Sequence, residues 1–125
     1  MSLLRIVPLS IEAGSAIRQI LGIMTDQLFD SEAMSPAWDV ERIIGLDQVI
    51  YERWTADEWE VCRGPVHEVE LEIEDVSIVL TGMAFTEVAS ADLPWVDMVR
   101  WTSDFVTAEL RPYWTDEEWQ ELTGR

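Results

Sequence analysis

An α+β fold is predicted for this chain: a small antiparallel sheet of about three strands, covered by helices, in one domain spanning residues 1–125. Three observations predict it. The length of 125 residues suits one domain. Apolar residues recur at helical spacing on both sides of the middle of the chain. Between those stretches, VHEVELEIE alternates strictly, as a half-buried strand does.

Taken in order, LLRIVPL at 3–9 is short and apolar, a strand whose end is marked by Pro8. Ser10 is a good N-cap for an amphipathic helix over about 11–29, with Ile17, Ile20, Leu21, Met24 and Leu28 on its apolar side. DSEAMSP breaks it, and Ser35-Pro36 carries the N-cap and proline-at-N1 signature of a second helix. Trp38, Ile43 and Ile44 form that helix's apolar side. Gly45 is expected to end or kink it, with a further helical stretch from Leu46 to about Arg53.

The pattern W-T-x-[DE]-E-W occurs at 54–59 and again at 114–119. With Thr55 as N-cap, Glu58 falls at N3 and completes a capping box, while Trp54 and Trp59 take the two positions of a hydrophobic staple. Thr115, Glu118, Trp114 and Trp119 obey the same register. Asp57, Asp116 and Glu117 add negative charge at the positive end of the helix dipole. Local structure therefore accounts for every shared letter, and a doubled tryptophan–acid epitope is the functional alternative. The flanking residues do not align, so no repeat is assigned.

RGP at 63–65 is a turn. In the alternating strand that follows, Val69, Leu71 and Ile73 face one way and Glu68, Glu70, Glu72 and Glu74 the other. DVSIVLTGMAFTEV is rich in β-formers and is read as a second strand of a hairpin, or as the continuation of one bent strand, with Gly82 as a bulge. SADLP leads into a helix over about 93–111, lined by Trp95, Met98, Val99, Thr102, Phe105, Val106 and Leu110 and stopped by Pro112.

Composition narrows the function. There are 25 acids and 8 bases, giving a formal net charge of −17, alongside 48% hydrophobic residues and seven tryptophans. So few cations cannot form a nucleic-acid-binding patch or hold an anionic membrane surface. A basic protein partner remains. All eight bases are arginine, which fits a GC-rich bacterial or phage genome. The single cysteine, Cys62, excludes an internal disulfide and reads as a small buried hydrophobe. No signal peptide and no membrane span are apparent, so a cytoplasmic protein is expected.

No nucleotide-binding, zinc-protease, hydrolase or calcium-loop motif is present. His67 has no partner residues nearby in sequence to complete a triad, and Cys62 with His67 lacks zinc spacing. No catalytic residue, metal ligand or cofactor is assigned, and an enzyme is not expected. The best candidate for function is the glutamate row. Alternate strand residues repeat every ~6.8 Å, so Glu68, Glu70, Glu72 and Glu74, extended by Asp75, would form a line of carboxylates spaced like successive phosphates. A merely solvated face that blocks edge pairing is the plainer account. Trp101, beside Arg100 and off the main stripe of its helix, is a candidate interface anchor.

The expectation is a non-enzymatic, acidic interaction protein that binds a basic protein surface. One version is a phage or mobile-element inhibitor that mimics nucleic acid and blocks a nucleic-acid-binding protein. Others are an immunity or antitoxin-type neutraliser of a basic toxin, a virion or assembly component, and an enzyme or metal-dependent protein using acids that cannot be singled out.

Overall fold

Two short segments alternate between buried and exposed side chains, and these are the strands. In the computed structural model, which describes residues 4–30 and 38–122, β1 (Leu4–Leu9) pairs antiparallel with β2 (His67–Glu72). Val7, Leu9, Val69 and Leu71 are buried on one face, and Leu4, Ile6, Pro8, Glu68 and Glu70 are exposed on the other. Six α-helices complete the described residues: α1 (Ile11–Asp30), α2 (Val40–Tyr51), α3 (Ala56–Val61), α4 (Ile73–Ala89), α5 (Val96–Leu110) and α6 (Asp116–Leu122), with a 3-10 turn at Arg111–Tyr113.

The fold is α+β, mostly helical, with helices over one face of the sheet. The sheet has two strands rather than about three. DVSIVLTGMAFTEV is helical and lies within α4. The helix is apolar round most of its circumference, although only Val76, Val79, Gly82 and Met83 are buried, so the β-branched run carries no helical period. The Asp75 carboxylate accepts from the Glu72 N–H at 2.9 Å and starts that helix where the strand stops. Gly82 is no bulge. It is buried in α4, and a Cβ there would lie 2.6 Å from Ile20 Cγ2 and 2.5 Å from Met24 Sδ. Its missing side chain lets α1 approach.

Other local expectations fared unequally. Ser10 caps α1, its Oγ accepting from the Ala13 N–H at 3.2 Å, and β1 runs through Pro8 to Leu9. Ser35 and Pro36 lie outside the described residues. The observed cap of α2 is Asp39, whose carboxylate accepts from Glu41 and Arg42 N–H groups. α2 passes Gly45 without a break, and Ile44 faces solvent. Both capping boxes form: Thr55 with Glu58 and Thr115 with Glu118 exchange their pairs of bonds at 2.8 and 3.1 Å. Trp54 meets Trp59 edge-to-face, centroids 5.2 Å apart. Along α5 only the end of the expected stripe, Val106 and Leu110, is fully buried; Trp95 and Met98 are exposed. Cys62 is half-buried and ends α3 in the left-handed region at φ 52°, a place that favours glycine.

The chain is built from two copies of one β–α–α–α unit, which corrects the sequence reading. β1, α1, α2 and α3 correspond to β2, α4, α5 and α6. Val7-x-Leu9-x-Ile11-Glu12 recurs as Val69-x-Leu71-x-Ile73-Glu74. Gly14, Ile17, Ile20 and Leu21 correspond to Val76, Val79, Gly82 and Met83, all buried. Leu46, Ile50 and Trp54 correspond to Val106, Leu110 and Trp114, again all buried. In the sheet Val7 lies opposite its own counterpart Val69, while Arg5 faces Leu71 and Leu9 faces His67. A pseudo-twofold axis therefore passes between the two valines. Across it, Arg5 stacks on Trp114 at 5.2 Å and its counterpart His67 meets Trp54 at 5.2 Å. Each strand thus touches the stapled helix of the other unit.

Two sets of variants test this packing. Gly82→Ala should destabilise by about 1–3 kcal/mol, because Ile20 is β-branched and cannot easily turn away. Gly45→Ala, with nothing within 4 Å of the added Cβ, should stabilise by about 0.5–1 kcal/mol. Thr55→Ala and Thr115→Ala should each cost about 1 kcal/mol. Chemical denaturation of the four variants measures all of these.

Candidate functional site

Strand parity directs Glu68 and Glu70 outward, and both are exposed. Neither carboxylate forms an ion pair with a described residue. Opposite them the register sets Pro8 against Glu68 and Ile6 against Glu70, with Leu4 against Glu72. Ile6 is 55% exposed and Leu4 43%. The outer face of the sheet is thus two rows side by side, one acidic and one apolar. The apolar row was not named from sequence, because the strand register that brings it beside the glutamates is a tertiary property.

The remaining acids of the expected row are placed differently. Glu74 and Asp75 are in the first turn of α4, so the four-glutamate line is broken after Glu72. Arg42, reaching from α2, clasps this end: it donates to Glu72 at 3.1 Å and to Asp75 at 3.2 Å, and lies 3.9 Å from Glu74. Burial disfavours the charge on Arg42. The hydrogen bond to Glu72 and the fields of Asp75, Glu72 and Glu74 outweigh it and raise its pKa above the ordinary value. These three acids therefore help join α2 to the strand–helix junction, and Glu68 and Glu70 are left as the outward pair.

Trp101 is apart from them. It lies on α5, 67% exposed, its ring stacked on Phe105 at 5.6 Å. No hydrogen bond, ion pair or ring contact joins it to the five acids. His67 is half-buried against Trp54 on the inner face, and Cys62 ends α3. Among the described residues no group of three His, Cys, Asp or Glu side chains is arranged to hold a metal ion, and no helix is long and apolar enough to cross a membrane.

Three other arginines are engaged elsewhere. Arg5 donates to Glu118 at 2.8 Å, Arg18 to Asp47 at 2.9 Å and Arg111 to Asp116. Arg18 also lies over the rings of Tyr51 and Trp59, 4.7 and 4.9 Å from their centroids. Comparison with protein-family models, with curated proteins and with solved structures finds no match.

Glu118 offers a pH test of the packing beside β1. Hydrogen bonding from the Thr115 backbone lowers its pKa from the ordinary 4.5, against some desolvation, with the Thr115 hydroxyl and Arg5 helping. A depressed folded pKa contributes stability above the unfolded value and loses it as pH falls through the folded one. Glu118→Gln should therefore lower the melting temperature at neutral pH, and the gap to wild type should close below about pH 4.5. Thermal melts across pH 3–7 measure it, and a gap independent of pH counts against this account.

Proposed function

We propose that this is a non-enzymatic interaction protein whose acidic surface binds and blocks a basic protein surface. The observation that carries the reading is the outer sheet face, where Glu68 and Glu70 have no cation partner among the described residues and stand beside exposed Leu4 and Ile6. Carboxylates without partners are free to meet cations, and the apolar row adds area that loses water on contact. The net charge of −17 supplies long-range attraction for a basic partner. Glu68, Glu70 and Glu72 keep the ~6.8 Å spacing of a strand, which suits a groove that otherwise holds a phosphate backbone. An inhibitor of a nucleic-acid-binding protein, of the kind phages and mobile elements carry, is the form of the reading we favour over a toxin neutraliser.

The double variant Glu68→Gln with Glu70→Gln removes two charges and leaves the Arg42 clasp intact. Its stability should match or exceed that of wild type, since self-repulsion falls. Its association with a basic partner recovered by affinity capture should slow on the order of threefold at low salt, with a shallower dependence on ionic strength. Equal association rates and equal salt slopes for the two proteins would rule out this face as the binding surface.

A further inference from the structure

The two open edges of the sheet are not alike. In an antiparallel pair, alternate residues turn their backbone groups toward the partner strand and the others turn theirs away. Three observations show which residues turn away here. The Glu72 N–H goes to the Asp75 carboxylate. The Ser10 N–H, just after β1, goes to the Glu109 carboxylate. Pro8, opposite Glu68, has no N–H to give to the ladder. The even-numbered positions therefore carry the edges: Leu4, Ile6 and Pro8 on β1, and Glu68, Glu70 and Glu72 on β2.

Proline blunts the first edge, because a strand laid against β1 finds no donor at Pro8. The edge of β2 keeps its donors. Asp75 takes the one at Glu72, and among the described residues nothing outside the sheet bonds the backbone of Glu68 or Glu70. Both residues are exposed. An open groove of about 350 Å³ lies between the sheet and α2, with Glu70 and Glu72 on one side and Gly45 and Val49 on the other.

We propose that an extended, cationic segment of a partner protein adds to β2 as a third strand. Two residues of that segment exchange main-chain hydrogen bonds with Glu68 and Glu70. Their side chains share the outer face with the two carboxylates, so lysine or arginine there makes directly opposed pairs of unlike charge. The residue between them falls on the apolar parity of the sheet, where an aliphatic side chain suits. A second copy of this chain does not fit, because two β2 edges laid together set glutamate directly against glutamate. This mode of binding rests on the proposed function for the sign of the partner's charge.

The probe is a capped Lys-Val-Lys-Val-Lys peptide, made also with N-methyl groups on the lysine backbone nitrogens or on those of valine. The methyl groups leave the charge unchanged. The readout is proton–nitrogen NMR of the full chain. The unmodified peptide should move the Glu68 and Glu70 amide protons downfield. Methylation at lysine should weaken binding at least about tenfold, and methylation at valine less than about twofold. Glu70→Gln keeps the N–H and loses a charge, so it should weaken binding about threefold. Glu70→Pro removes the N–H as well and should abolish binding. The counterpart of Glu70 is Pro8, so the strand position accepts proline, and the methylated peptides decide the matter if this variant does not fold. No Glu68 or Glu70 amide shift at millimolar peptide, equal binding of the two methylated peptides, or equal binding by folded Glu70→Pro and Glu70→Gln proteins would overturn the added strand. Equal methylated peptides with weaker binding by Glu68→Gln with Glu70→Gln would leave the proposed function standing without it. Sensitivity to the methyl position with full binding by that double variant would do the reverse.

Discussion

Val7 opposite Val69 is the contact on which the rest of the fold depends. A two-stranded ladder is marginal in water by itself, and these strands come from different units rather than from a hairpin. The pair forms only when the units meet. Its inner face, Val7, Leu9, Val69 and Leu71, then becomes part of the shared core. α1 and α4, which follow the two strands, pack against each other, with Ile20 of one beside Gly82 of the other. These two are counterparts in the repeat, one large and one absent. A symmetric pair of isoleucines could not fit there. The core is thus shared between the two units, and its closest approach sets an isoleucine of α1 against a glycine of α4.

What could be read from sequence was what short-range physics decides. The capping boxes at Thr55 and Thr115 need only neighbouring residues, and both form. Parity sent Glu68 and Glu70 outward. α4 reads as strand because Val76, Ile78 and Val79 favour strands, and because a helix with apolar residues on most sides lacks the polar stripe that reveals its period. Length was the overlooked cue: the 17 residues of α4 far exceed an ordinary strand. The same error placed Glu74 and Asp75 on a strand face. The repeat is faint in sequence because Val7–Glu12 and Val69–Glu74 share only three alternate apolar positions and one exposed glutamate. The exposed letters between them have diverged, and burial is what aligns them.

The arginines explain how a chain of this charge folds. Arg5, Arg18 and Arg111 each lie over an aromatic ring and bond a carboxylate as well. A planar guanidinium suits both tasks at once, whereas lysine would serve one. Arg42 holds three acids at the junction of β2 and α4. These four cations tie residues of different elements together. Repulsion among the chain's acids opposes compaction, and salt weakens it.

Divergence between the units follows the division between inside and outside. On the sheet, the buried counterparts Val7 and Val69, and Leu9 and Leu71, stay apolar. Exposed counterparts were free to change, and on the sheet they changed in a consistent direction. Ile6 corresponds to Glu68, and Pro8 to Glu70. Had the units stayed alike, the sheet would present two equivalent rows and would suit a partner with the same twofold symmetry. With one row apolar and the other acidic, the face has a direction across the strands. The two rows of the sheet face thereby differ, while the core beneath them stays apolar on both strands.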